Sequence, residues 1–479
     1  MNNKPPVKKR IVIISSIILV GIVISVLIYS TIPIISFFVN SNFPAGPFVS
    51  NLEDYKLNIS PYVEGLSFPT SMTFVDNNTI MALEKDGNVR LISNGVLQKD
   101  PILKVEVDVE AERGLLGIAT LRKNTDKNDT SLTNDNKINT VPKPSNSEFN
   151  QAMPNYSVYL YLTEKIKDAK ENNDNDYHNQ TIRNRIYEYS WDGQTALTKP
   201  VLILDLPAKI GPYHNGGKLK IGPDKQLYAV IGDLVTINNT LQNRQNHDNH
   251  TDIPNNTSVI FRIDPSDGSI PKDNPFYKNY YKDGSLKTLI YYYAYGIRNS
   301  FGLDFDPLTA KLWDTENGED KYDEINVVEP GFNSGWHKLM GPLARNVESK
   351  ISDLVMFNGS HYSDPVFSWY IPIGITDIEF FNSSMLGKKY SNNVFVGDIN
   401  KGNLYFFKVN ASRSGMDTNI AGEGKNEELL SDKVSDNQDE SNKFTVAKGF
   451  DGRITDIETG PDGYLYILTY FDGKIYRIS

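Results

Sequence analysis

The chain has 479 residues, no cysteine, and 59 acidic against 49 basic side chains, for a net charge of −10. Without cysteine there is no disulfide, no thiolate metal site and no cysteine nucleophile. The charges are interspersed and form no basic stripe to neutralise phosphates, which argues against a nucleic-acid partner.

Taken in chain order, the first element is apolar. Lys4, Lys8, Lys9 and Arg10 precede an uncharged run from Ile11 to Val39, and the next charge is Glu53. About 20 helical residues already cross a ~30 Å hydrocarbon layer. Residues 11–39 are therefore expected to form a transmembrane signal-anchor helix, longer than the apolar region of a cleaved signal peptide. The positive cluster places residues 1–10 in the cytoplasm and the bulk of the chain outside. Pro33 has no amide hydrogen and is expected to kink or end the helix. Residues 40–57 read as a tether and residues 58–479 as one large domain. Asn-x-Ser/Thr sequons at Asn58, Asn77, Asn155, Asn358 and Asn382 fit an exterior surface, although a chain this rich in Asn, Ser and Thr forms such triplets by chance.

The large domain carries a recurring phrase. An apolar strand is followed by a Pro-Asp or Asp-Gly type turn and a second strand with an apolar pair such as Leu-Tyr. It appears as MTFVDNNTIMALEKDGNVRLI (72–92), LKIGPDKQLYAVIGD (219–233), LDFDPLTAKLWDTENG (303–318), IEFF with NNVFVGDINKGNLYFFKV (378–409) and IETGPDGYLYILTYFDGKIYRI (457–478). The turn residues supply the backbone angles of hairpins, and the flanking alternation makes half-buried strands. With residues 156–191 as a further unit, the pattern predicts an all-β, six-bladed β-propeller. The last strand is expected to be joined by a strand from near residue 60, closing the ring. Polar stretches near 123–154, 235–257 and 411–443 read as insertions laid over this frame.

Several residues in these phrases have the chemistry of a site. His214 precedes Gly216 and Gly217, whose lack of a Cβ lets the backbone pass close to another group, and a histidine is the side chain best suited to take a proton near neutral pH. Arg298 and Asn299 adjoin at a strand entry, a pair able to hold a carboxylate or carbonyl. Glu316, Glu319, Asp320, Asp323 and Glu324 around Gly318 give an oxygen density suited to a hard cation such as calcium. Taken singly, each also reads as a structural histidine, an isolated polar pair or a solvated acidic loop.

Read together and in order, GLSFPTSM, ERGLLGIA, HNGGKLKIGPDKQLYAVIGD, YGIRNSFGLDFDP, TENGEDKYDEINVV with GWH, and GPDGYLYILT resemble the glucose/sorbosone dehydrogenase family of quinoprotein sugar dehydrogenases. The resemblance runs from about Gly65 to the end. It implies a propeller with pyrroloquinoline quinone (PQQ) and calcium near its axis. It also implies His214 as the general base, Arg298 and Asn299 as cofactor contacts, and the backbone oxygens of Gly318 and Glu319 as calcium ligands. Other positions depart from the family. Phe301 and Glu112 stand where the soluble glucose enzymes have glutamine. Asn400 stands for a cofactor lysine, with Lys401 beside it. A basic pair is reduced to Arg453 and Thr455. The cofactor carries three carboxylates, and each lost charged hydrogen bond costs about 1.5–3 kcal/mol of affinity.

The resulting expectation is an extracytoplasmic, membrane-anchored dehydrogenase that oxidises a sugar or alcohol with PQQ and calcium and passes electrons to an acceptor the sequence does not identify. Two alternatives are a cofactor-less propeller acting as a cell-surface binding module and a calcium-dependent, lactonase-like hydrolase.

Overall fold

The computed structural model describes residues 46–50, 56–123, 155–166, 181–208, 211–235, 241–242, 254–279, 287–417, 430 and 432–479. The expected anchor helix lies outside these residues. Among the described residues, no helix is long and apolar enough to cross a membrane.

Six antiparallel sheets follow one another along the chain, numbered here as blades 1 to 6. Their innermost strands are Pro69–Asp76, Leu115–Lys123, Leu219–Ile221, Ser300–Phe305, Ile375–Phe381 and Ile454–Thr459. Each of these contacts the innermost strand of the next blade, and blade 6 returns to blade 1, so they form a closed ring around an axis. The sequence repeats become the first hairpin of every blade but blade 2, where residues 156–191 are instead the second and third strands, Asn155–Lys165 and Ile182–Trp191.

Blades are held together face to face, which explains why their second strands are apolar on both sides. In blade 3 the whole strand Leu227–Ile231 is buried. Its alternation sends Leu227, Ala229 and Ile231 into a core shared with Tyr159, Tyr161 and Ile186 of blade 2. Tyr228 and Val230 face the other way, against Leu303, Leu312 and Val328 of blade 4. The remaining four interfaces each have their own cluster of this kind.

Closure is made by a strand distant in sequence. Ile59–Val63 pairs antiparallel with Lys474–Ile478, with Ile59 opposite Ile478. The seam continues one residue further, where the amides of Asn58 and Ser479 each donate to the other's carbonyl, at 2.8 and 3.0 Å. Blade 6 is thus three strands from the end of the chain and one from near its start.

One sequence expectation is corrected by this arrangement. Part of the stretch read as a tether, Phe48–Val49, is the outer strand of blade 5, paired with Ala447 and Lys448, because an aromatic and a β-branched residue suit an otherwise open sheet edge. Parts of the polar stretches join the fold. Leu241 is buried in the core between blades 2 and 3, and Gln242 is buried and hydrogen bonded to Val355 and Asn333. Val434–Ser435 adds a parallel strand to blade 4.

The axis is filled with charge. Lys218, just before blade 3's inner strand, and Lys220, within it, reach carboxylates of blades 4, 5 and 6. Lys218 Nζ lies 2.8 Å from Asp377 and 2.7 Å from Asp456, and Lys220 Nζ lies 2.8 Å from Asp304 and 3.5 Å from Glu379. Burial opposes the charge on Lys218, yet its two carboxylates hold it above the ordinary ammonium range. Asp456 also accepts from Ser71 Oγ and the Met72 amide, and Lys218 holds its carboxyl below the usual range against burial, whereas burial pushes Asp377 upward.

Removing one partner of a buried ion pair leaves the other charge unsolvated, at a cost of about 3–5 kcal/mol. Lys218→Met is therefore expected to lower the denaturant midpoint sharply, and adding Asp377→Asn to recover part of the loss. Equal midpoints for wild type and Lys218→Met would contradict the role given to this lysine.

Candidate functional site

The residues nominated from the sequence fall at one end of the ring, where the innermost strands begin and the second strands end. There a cavity of about 270 Å³ opens on the axis, lined from every blade, by residues including Thr70, Glu112, Lys218, Phe301, Thr376 and Thr455. Its floor is the Lys218–Asp456 pair.

His214 sits beside this cavity in the left-handed region of backbone space, at φ +58, a conformation uncommon for a side chain other than glycine. Two contacts hold it there. Its amide donates to Glu112 Oε2 at 2.7 Å, and its Nδ1 lies 2.6 Å from Asp233 Oδ1. Asp233 is buried, and its other oxygen accepts from Trp336 Nε1 at 2.7 Å. Because a carboxylate can only accept, the neutral imidazole carries its proton on Nδ1, and Nε2 presents a lone pair. Gly232 makes this packing possible: a Cβ there would lie 2.4 Å from Arg298 O and 2.6 Å from His214 O. The paired glycines act as the sequence suggested, since a Cβ on Gly216 would meet Val230 O at 2.5 Å and one on Gly217 the Leu116 Cβ at 2.6 Å.

Glu112 joins three blades. Its Oε2 also accepts from Asn299 Nδ2 at 3.1 Å, so one carboxylate orients the loops entering blades 3 and 4. Both partners are donors, which suits a glutamate at the position where the resembled enzymes have glutamine. Asn299 is buried, and its Oδ1 has no hydrogen-bond partner among the described residues.

Arg298 is next to it. Its guanidinium lies 5.2 Å from the Trp336 ring and donates from Nη1 to Asn317 O at 2.9 Å, while Nε is buried without a partner among the described residues. Burial lowers its pKa, opposed by Asp233, Glu319, Asp323 and Glu112. On the far side, Asp323 is fully buried, accepting from the amides of Gly318, Ile373, Gly374 and Ile375. This fixes the Gly318 turn. The carbonyls of Gly318 and Glu319 accept no hydrogen bond among the described residues, and the Glu319 side chain is exposed. No group of three or more His, Asp or Glu side chains among the described residues is arranged for a metal ion. Any cation here would rely on backbone oxygens.

The remaining nominated residues are less central. Asn400 and Lys401 are exposed, and Lys401 Nζ donates to Gln438. Arg453 has φ +66 and does not line the cavity; Thr455 does, with its hydroxyl on Pro69 O at 3.2 Å. Asp233 and Trp336 were not singled out from sequence, although Asp233 ends the phrase LKIGPDKQLYAVIGD and Trp336 is the middle of GWH. Lys85, also on the cavity wall, lies in no phrase that marked it as functional.

The model of the glucose/sorbosone dehydrogenase family matches residues 146–477. The chain belongs to that family. Among curated members, the quinoprotein glucose dehydrogenase B of Acinetobacter calcoaceticus is 35% identical over 193 residues, 38% of this chain and 37% of that protein. The aldose sugar dehydrogenase of Escherichia coli is 28% identical over 271 residues, 56% of this chain and 60% of that protein. The fold is shared with the PQQ-bound form of the aldose sugar dehydrogenase from Streptomyces coelicolor, with a TM-score of 0.56 at 20% identity, over 91% of this chain and 99% of that one.

Behind Arg298 lies a group of buried acids. Glu316 Oε2 accepts the Arg298 amide at 3.1 Å and Oε1 accepts from Ser334, with Asp314 and Glu324 nearby. Burial pushes Glu316 up to about 7, and burial together with Glu316 raises the other two well above their ordinary range. The folded state therefore binds a proton at Glu316 more tightly than the unfolded chain. Its contribution to stability is full below the unfolded carboxylate range near 4.5 and is lost as pH rises through about 7. For Glu316 this is on the order of 3 kcal/mol. Glu316→Gln should flatten the pH dependence of stability over that interval in denaturant titrations; an unchanged profile would place the proton elsewhere.

Proposed function

We propose that this family member is a dehydrogenase that oxidises the anomeric hydroxyl of an aldose to a lactone, with PQQ as oxidant and calcium as its companion, and that residues 11–39 anchor it with the propeller outside the cell. The observation that carries the reading is the Asp233–His214 pair at 2.6 Å beside an axial cavity. Nδ1 is committed to the carboxylate, so the substrate's hydroxyl proton goes to Nε2. The imidazolium formed is stabilised by Asp233, itself held by Trp336.

The residues present fit the cofactor at the end where chemistry occurs. Asn299 Oδ1 and Arg298 Nε are buried polar atoms without partners among the described residues, the state expected of groups that complete their bonding with a ligand. Arg298 would supply positive charge beside a bound quinone. The unpartnered carbonyls of Gly318 and Glu319 are hard oxygen donors suited to calcium. When bound, the quinone supplies the two-electron acceptor and calcium the Lewis acid. Two named relatives, a quinoprotein glucose dehydrogenase and an aldose sugar dehydrogenase, support the substrate class. The uncharged run after Arg10 supports the anchor.

One observation favours a second reading, a propeller without cofactor that binds ligands at the cell surface. Of the family's carboxylate-binding cations, one position is Asn400, one is Thr455, and Lys401 is turned to Gln438. A titration decides between the two. The full chain with calcium should bind PQQ saturably and reduce a dye in the presence of aldoses. His214→Ala should lower turnover by about 10²–10⁴-fold while leaving cofactor affinity near that of wild type. Absence of binding at tens of micromolar cofactor would remove the dehydrogenase reading in favour of the binding module.

A further inference from the structure

The cofactor proposed above brings three carboxylates into a cavity whose family cations are depleted. The charged residues that line it among the described residues are Lys85, Glu112, Lys218 and Asp456. Lys218 is committed to Asp377 and Asp456, and Glu112 to the His214 amide and Asn299. Lys85 is different. Among the described residues it has no carboxylate within ion-pair distance, and its Nζ donates to the backbone carbonyl of Ala111, another cavity residue. An ammonium has three donors, so two remain.

The backbone and stem of Lys85 are held in place. Its amide donates to Phe68 O at 3.1 Å, and its carbonyl accepts from Leu115 N at 3.1 Å. The stem passes over Gly114, where a Cβ would lie 2.7 Å from Lys85 Cγ. The same Phe68–Pro69 segment receives the Thr455 hydroxyl at Pro69 O, and the Phe68 ring lies 5.3 Å from that of Tyr470. Lys85 and Thr455 therefore bond to adjacent residues of one segment and line one cavity. Burial already costs the ammonium part of its hydration, lowering its pKa against Glu112 and Asp108, and an entering anion would replace what was lost.

We propose that Lys85 anchors a carboxylate of the quinone cofactor in this chain, taking over the charge missing at Thr455. The inference rests on the dehydrogenase reading. It assigns the cavity wall of blade 1, rather than blades 5 and 6 alone, to cofactor binding.

The test is a titration of the full chain with PQQ in the presence of calcium, followed by absorbance and by the shift in melting temperature, so that no turnover is needed. Lys85→Met should weaken binding about tenfold or more, and the loss should shrink at high salt, where the wild-type attraction is screened. Lys85→Arg should retain most of the affinity, and Thr455→Lys added to Lys85→Met should restore part of it. Equal affinity for wild type and Lys85→Met overturns the proposal while leaving the dehydrogenase reading standing. Failure of the wild type to bind at all overturns both. Should Lys85→Met not fold, Lys85→Gln against Lys85→Arg makes the same comparison, and equal affinities for those two variants also overturn the proposal.

Discussion

The constraint on which the rest of this structure depends is the filling of the propeller axis. Six inner strands converge on a narrow channel, and side chains there must satisfy one another because little water reaches them. In this chain two lysines from one blade reach across to carboxylates of blades 4, 5 and 6. Such pairs add little net stability compared with apolar packing, but they are costly to break and specific in geometry. They fix which blade faces which across the ring. They also set the depth of the cavity, since Asp456 belongs both to the ion pair and to the cavity floor.

Above that floor the site is assembled from segments far apart in sequence. Glu112 reaches His214 and Asn299, and Asp233 reaches Trp336. Each contact joins a loop of one blade to a loop of another. The chemistry of His214 is therefore a property of the closed ring, and a blade in isolation would not reproduce it. The strained backbone of His214 is held by the same Glu112 that orients Asn299, so the two residues respond together to any change at that carboxylate.

Much of this was legible from the amino-acid order. Turn dipeptides and paired apolar residues marked a hairpin of every blade, because local backbone chemistry and strand alternation are written in neighbouring residues. His214, Arg298 and Asn299 stood out for the same reason, each at a strand entry next to a glycine or an apolar run. What remained hidden depends on distance in sequence. Lys218 meets Asp456 only because blades 3 and 6 face one axis, and nothing near either residue announces the other. Lys85 looked like one more turn lysine in EKDG until the ring placed it on the cavity wall. Phe48–Val49 was hidden because two residues are too few to show a period.

The seam between Ile59 and Ile478 has a consequence for how the molecule comes into being. Its two strands lie at opposite ends of the propeller domain, so the closing pairing is among the most non-local contacts the domain makes. The entropy of joining such ends grows only slowly with the length between them, so the pairing is thermodynamically inexpensive but kinetically late. Until Lys474–Ile478 is made, blade 6 is incomplete, and Ile59–Val63 waits without a partner. An open arc of five blades, with unpaired sheet edges and an axial lysine short of one carboxylate, is the intermediate that cellular folding factors would encounter.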